Sequence, residues 1–133
     1  MGKSGIIKSV TKSYIDQKGS SYNVSKATVE TCNDKLWLMA CSEIWNNGYQ
    51  ENAYGYAGTS EGEQYKFYKD INATYNSSKS AIIKYDTNNS SVWCWLRSPF
   101  YDGSDSFCNL SGNGDCGGSY AFNSDGVAPG FAI

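Results

Sequence analysis

The chemistry open to this chain is bounded first by an absence: it contains no histidine. That removes the Ser-His-Asp and Cys-His nucleophile arrangements and every zinc site with an imidazole ligand. Five cysteines remain, Cys32, Cys41, Cys94, Cys108 and Cys116. Their count is odd and their spacings match no metal or redox motif. Buried thiols are the expected state, with a Cys108–Cys116 or Cys32–Cys41 disulfide as the alternative. A metal site would have to be built from oxygen, drawing on Asp102, Asp105, Asp115 or Asp125. The full calcium-loop pattern is missing, so the expectation is no metal and no cofactor. The stretch "SGNGDCGGS" is glycine-rich, but it lacks the lysine and the following helix of a phosphate-binding loop. Thirteen acids supply many carboxylate pairs; without a pocket they define no acid–base enzyme. The chain reads as a binding protein rather than an enzyme.

One arginine, Arg97, stands in "WLRSP" beside Trp93, Trp95 and Leu96. A guanidinium here could recognise a carboxylate on a ligand. The structural alternative is an arginine fixed by carbonyls or an acid, bracing loops from the core, and this is the expected role. The tryptophans are read as packing residues, and Trp37, Leu38, Trp93, Trp95 and Phe131 as members of the core.

The elements that must position these residues are short. Loose alternation of β-branched and polar residues predicts a strand over residues 5–15, followed by a turn at "DQKGSS". "VSKATVET" is ambiguous between a short helix and an extended segment. "DKLWLMA" at 34–40 is an apolar run suited to a buried strand, and "CSEIW" could begin a helix capped by Ser42. Ser60 and Glu63 fit a capping box and predict a helix from Glu61 to Asn72, with Tyr65, Phe67, Tyr68 and Ile71 along it. "AIIKY" at 81–85 and "VWCWLRS" at 92–98 read as strands around the turn "DTNNSS". Near the end only "SFCNL" and "GVAPGFAI" offer strand candidates. Strands and helices do not alternate regularly, so an α+β domain with small antiparallel sheets is expected over 1–133. Long irregular stretches in such a domain are commonly functional.

Charge and hydropathy narrow the partners. The net charge is −2, so no broad basic surface points to nucleic acid. No apolar run is long enough to span a membrane, and the opening "MGKSG" begins no secretion signal. The residues could be the C-terminal part of a longer protein, and oligomeric state is left open.

The last quarter uses a restricted alphabet. Residues 100–133 contain no Lys, Glu, Gln, Met or Trp, although the first 99 hold 24 of these types. What remains is mostly Gly, Ser, Asp, Asn, Tyr, Phe, Cys and Ala. Aromatic rings give contact area at low entropic cost, and small polar residues give adaptable hydrogen bonds, as in antibody paratopes. Turn formation explains much of the Gly, Asn and Ser, but not the missing types. An asparagine codon, AAC or AAT, randomised at its first two bases cannot encode Lys, Glu, Gln, Met or Trp.

The strings "DKLWLMACSEIW", "EGEQYKFYKD", "WCWLRSP" and "GVAPGFAI" resemble a bacterial and phage domain of uncharacterised function. "WLRSP…GVAPGF" in particular is similar to the C-terminal region of diversity-generating retroelement variable proteins. The resemblance covers about Ser20 to Ile133. It implies a C-type lectin fold and a ligand-binding or adhesion module, displayed on a bacterial cell surface or phage particle. Its partner would be a protein or glycan on a cell or virion. Trp95, Leu96, Arg97, Ser98, Pro99, Gly126, Val127, Pro129 and Phe131 would be scaffold, and residues 100–125 the diversified region. The implied ligand-binding positions are Cys94, Tyr101, Asp102, Gly103, Asp105, Ser106, Asn109, Ser111, Asp115, Cys116, Gly117, Gly118, Ser119, Tyr120, Phe122, Asn123 and Asp125. The Glu-Pro-Asn and Trp-Asn-Asp motifs of calcium-dependent lectins are absent, which argues against sugar recognition through Ca²⁺. A non-diversified adhesion domain, or a divergent enzyme of the related formylglycine-generating kind, are the alternatives.

Overall fold

The fold is described from a computed structural model, over residues 6–16, 27–45, 61–74, 80–100 and 105–133. The first sheet pairs β1 (Val10–Asp16) with β2 (Thr28–Asp34), antiparallel, from Val10 opposite Asp34 to Asp16 opposite Thr28. The predicted strand at 5–15 is therefore shifted toward the C-terminus. The ambiguous "VSKATVET" is extended from Thr28 onward, because β1 offers it a ladder of backbone partners that a helix would forgo. The predicted turn after β1 lies outside the described residues, apart from Asp16.

The apolar run 34–40 does not form the expected buried strand. Asp34 closes β2, and the rest of the run makes a single bridge, in which Trp37 and Gly130 exchange backbone hydrogen bonds of 3.2 and 2.7 Å. Leu36 is exposed, and only Ala40 of the run is fully buried. The next element, α1, is one turn, Cys41–Ile44. Ser42 is not its cap. Ala40 holds the N-cap position, and Glu43 Oε2 accepts the Ala40 N–H at 3.0 Å. Ser42 lies inside the turn with its Oγ buried and without a hydrogen bond.

The second helix, α2, spans only Lys66–Asp70, with Tyr65 as N-cap. The Glu61–Asn72 prediction was too long. Ser60 lies outside the described residues, and Glu61 points its side chain inward to Ser98 rather than joining a helix. The α2 C-terminus stops at Ile71, and Asn72 follows with φ of 51°, a conformation asparagine tolerates better than most residues. Of the aromatic stripe, Tyr68 is buried and Phe67 is exposed.

A small pairing of β3 (Lys84–Tyr85) with β4 (Ser91–Val92) surrounds the expected turn. There Asp86 Oδ1 accepts the N–H groups of Asn88 and Ser90, both at 2.9 Å. The predicted strand at 81–85 is thus reduced to its last two residues. The third sheet is antiparallel, in the order β5 (Cys94–Pro99), β6 (Ser106–Leu110), β7 (Cys116–Tyr120). "SFCNL" forms β6 as expected. Sequence reading missed β7, because "CGGSY" lacks the β-branched residues that announce a strand; pairing with β6 supplies the stabilisation. "GVAPGFAI" forms no strand. It returns across the molecule through isolated bridges to Cys94, Trp37 and Lys8, an irregular path consistent with Pro129, which has no N–H to give a ladder.

The core contains Cys41, Ile44, Trp45, Tyr68, Ala73, Ile82, Cys94, Leu96, Cys108, Leu110 and Cys116. It is not the expected tryptophan core. Trp45 is the one fully buried tryptophan among the described residues, whereas Trp93 and Phe131 are 48% and 58% exposed. Trp37, Leu38 and Trp95 are half-buried. On β5 the residues Cys94, Leu96 and Ser98 face inward, so Trp95 and Arg97 fall on the other face. The architecture is α+β: small, mostly antiparallel sheets with two short helices.

Candidate binding surface

Arg97 is the point from which the surface is held. Its Nε donates to Ser13 O at 2.8 Å, Nη1 to Leu38 O at 2.7 Å and Glu43 Oε2 at 2.6 Å, and Nη2 to Glu61 O at 2.7 Å. One guanidinium thus ties β1, the 37–40 segment, α1 and the chain before α2 to β5, the bracing role expected for it. Glu43 also takes the Lys12 ammonium, which in turn donates to Tyr65 Oη at 3.0 Å. Burial works to raise the Glu43 pKa, but hydrogen bonds from Arg97, Lys12 and the Ala40 N–H outweigh it, and the net shift is downward.

Glu61 lies beside this network in a different environment. It is 3% exposed. Its carboxyl meets Ser98 Oγ, and Oε1 accepts the Ile15 N–H at 3.3 Å. Burial dominates and pushes its pKa up to about 7. Ser98 Oγ also accepts the Cys41 N–H at 2.9 Å. Glu61 therefore joins β1 to β5, with no cation among the described residues in an ion pair with its carboxylate. Neither glutamate stands out in the sequence, because only the fold brings them against Arg97 and Ser98.

On this base β6 and β7 form a hairpin with Ser106 opposite Tyr120 and Leu110 opposite Cys116. A buried asparagine pins its outer side. Asn109 is fully buried, and its Nδ2 donates to Ser119 Oγ at 3.0 Å and Asp125 Oδ2 at 2.9 Å. The far turn is closed by Ala121 N–H to Asp105 O at 2.8 Å and Asn123 N–H to Tyr120 O at 2.9 Å. Tyr120 and Phe122 stack there, with ring centroids 5.3 Å apart and planes 6° from parallel. They are 53% and 80% exposed. Phe107, a residue the sequence did not single out, is 39% exposed on β6.

The structure divides the candidate positions. Cys94, Ser106, Asn109, Ser111 and Cys116 are buried, so a ligand on the outer surface does not reach their side chains. They are corrected from surface to support. Gly117 and Gly118 are also constrained. A β-carbon on Gly117 would lie 2.7 Å from Asn109 Oδ1 and 3.0 Å from the Trp93 ring, and one on Gly118 would lie 2.4 Å from the Phe100 ring. A larger side chain there requires Asn109 and the Trp93 ring, or the Phe100 ring, to shift. Asp115, Ser119 and Asp125 are half-buried. Asp105, Tyr120, Phe122 and Asn123 are exposed and cluster at one end of the hairpin. Tyr101, Asp102 and Gly103 lie outside the described residues.

The cysteines behave as thiols, and the two disulfides held open above are not formed. Cys41, Cys108 and Cys116 nevertheless converge from α1, β6 and β7, with all three Sγ atoms within 4.8 Å of one another and Cys41 to Cys116 at 3.7 Å. The expectation that any metal donors would be oxygens is thereby corrected: the closest donor set among the described residues is soft sulfur, suited to a thiophilic ion. Burial pushes the Cys108 and Cys116 thiols well above their ordinary value, which favours the neutral, unreactive form.

The motifs that frame this surface belong to a wider pattern: residues 3–133 match the domain family of unknown function DUF6273. The chain belongs to the DUF6273 family. No curated protein and no solved structure matches it significantly.

Proposed function

We propose that this DUF6273 chain is a ligand-binding module of the C-type lectin type, and that the exposed end of the β6–β7 hairpin is its recognition surface. One observation carries the reading: stacked Tyr120 and Phe122 stand in solvent beside exposed Asp105 and Asn123, at the end of a hairpin whose middle, through Cys108, Leu110 and Cys116, is anchored in the core. Two large rings held in water are costly unless something covers them, and aromatic anchors with a polar rim are the usual composition of a recognition patch. The restricted alphabet of residues 100–133 supports diversification of this surface through asparagine codons. The Arg97 brace supplies the rigid base that lets surface side chains change without loss of the fold. The partner is a protein or glycan on another cell or virion.

The test is a substitution library at Asp105, Tyr120, Phe122 and Asn123, selected for binding to immobilised protein and glycan targets. Most members should keep the parental melting temperature, and selection should yield binders of different specificity. A parallel library at Asn109, Cys116 and Gly118 should mostly unfold. If the first library unfolds as readily as the second, or yields no binder, the reading is wrong. Read at the gene, the proposal requires codons derived from AAC or AAT at the four exposed positions and an adenine-rich near-copy close by.

A further inference from the structure

Away from the hairpin end, a cleft of about 600 Å³ opens between β1, the 37–39 segment, the start of α2 and the C-terminal segment 128–132. That volume is in the range of small-molecule sites. Its walls are largely aromatic: Trp37, Tyr65, Tyr68 and Phe131. None of the candidate positions in 100–125 lines it. The cleft therefore belongs to the scaffold, and its ligand would not change with the hairpin surface.

The polar groups in the cleft are donors. Tyr65 Oη accepts from Lys12 Nζ and from Trp37 Nε1, each at 3.0 Å. Both acceptor positions of that hydroxyl are occupied, so its own hydrogen is left to donate. Tyr68 Oη accepts from Lys84 Nζ at 3.4 Å and donates to Met39 Sδ at 3.5 Å. This leaves two of the three ammonium hydrogens of Lys84 without an acceptor among the described residues. Lys12 is committed to Glu43, but Lys84 has no carboxylate partner among the described residues. Among the described residues, no Asp or Glu side chain lines the cleft. An aromatic slot with one uncommitted ammonium and one spare hydroxyl donor asks for an apolar body ending in a singly charged acceptor. A phosphate dianion would call for more cations or an arginine fork.

We propose that this cleft is a second binding site, distinct from the hairpin surface, for a small aromatic carboxylate. The ring lies among Trp37, Tyr65, Tyr68 and Phe131, and the carboxylate takes Lys84 Nζ and the Tyr65 hydroxyl.

The experiment titrates the intact chain with phenylacetate and, separately, with its neutral isostere phenylacetamide, following the Trp37 indole N–H by two-dimensional NMR. Phenylacetate should shift that resonance, and the amide should bind about tenfold more weakly, the worth of one charge-assisted hydrogen bond. Lys84→Met keeps the apolar stem and should remove the advantage of the acid while leaving amide binding unchanged. Phe122→Ala, at the hairpin end, should leave both titrations as they were, so failure here and failure of the hairpin proposal are separable. Equal binding of acid and amide, no shift at Trp37, or an undiminished preference for the acid in Lys84→Met would each overturn the assignment. The acid–amide comparison in the unaltered chain stands even if Lys84→Met folds poorly.

Discussion

Replacing Glu61 by Gln should stabilise this protein above neutral pH, and by an amount that depends on pH. Glu61 is buried, and its pKa is raised from 4.5 to about 7. The unfolded chain ionises Glu61 near its ordinary value, whereas the folded chain holds the proton until about pH 7. Folding thus takes up a proton between these values, and the contribution falls as pH rises. It is full below about pH 4.5 and is lost as the pH rises through about 7. At roughly 1.4 kcal/mol per pKa unit the whole loss is about 3 kcal/mol, of which about 2–3 kcal/mol falls between pH 5 and pH 8. Gln can still meet both neighbours: its carbonyl accepts the Ile15 N–H, and its amide donates to Ser98 Oγ, reversing the bond in which Ser98 donates to the Glu61 carboxyl. It cannot ionise. Urea unfolding of both proteins across pH 5–8 reads the difference directly. The wild-type curve should descend relative to Glu61→Gln by about 2–3 kcal/mol. Parallel curves would show that Glu61 is not held protonated by burial, and a wild type gaining on the variant at high pH would reverse the sign of the reasoning. Glu43 does not confuse the readout. Its pKa is lowered, so its contribution is present above its ordinary value and is lost at lower pH, outside the window.

Arg97→Met should cost about 3 kcal/mol in urea unfolding, because it leaves Lys12 as the one cation on buried Glu43 and removes the guanidinium's bonds to three backbone carbonyls; a loss below about 0.5 kcal/mol would mean the brace is idle. Thiol titration of the native protein with an aromatic disulfide should find one accessible cysteine, Cys32, with the remaining four appearing in denaturant. A second rapidly reacting thiol would contradict the burial of the Cys41–Cys108–Cys116 group.

How much was legible beforehand differs by residue. Where a local rule was sufficient, the reading held. "SFCNL" announces β6 by composition, Asp86 builds its turn from its own side chain, and the lone arginine beside apolar neighbours points to a brace. Where long-range pairing decides, local rules misled. "CGGSY" has poor strand propensity but is a strand because β6 lies beside it. "DKLWLMA" has the apolar content of a strand but, after Asp34, finds only one bridge partner. Ser42 is a good cap residue in the wrong place, because Glu43 reaches back to the Ala40 N–H first. The division of 100–125 into surface and support followed from burial and glycine clearances that composition does not contain.

The sequence by itself determined the chemistry that is closed and the class that is open. The absence of histidine removes triads and imidazole metal sites wherever the residues fall, since no fold can supply a missing side chain. The irregular order of short apolar runs called for small antiparallel sheets with little helix, because each run can bury only one face. The missing residue types after Pro99 marked the last quarter as different in composition from the rest. The tertiary structure alone decided which residues meet. It gathered three cysteines from positions 41, 108 and 116 into one buried group, set Glu61 against Ser98 out of water, and turned Trp93 and Phe131 outward. Those outcomes depend on burial and distance between residues far apart in the chain. Neither quantity is carried by residue type or by spacing along the sequence.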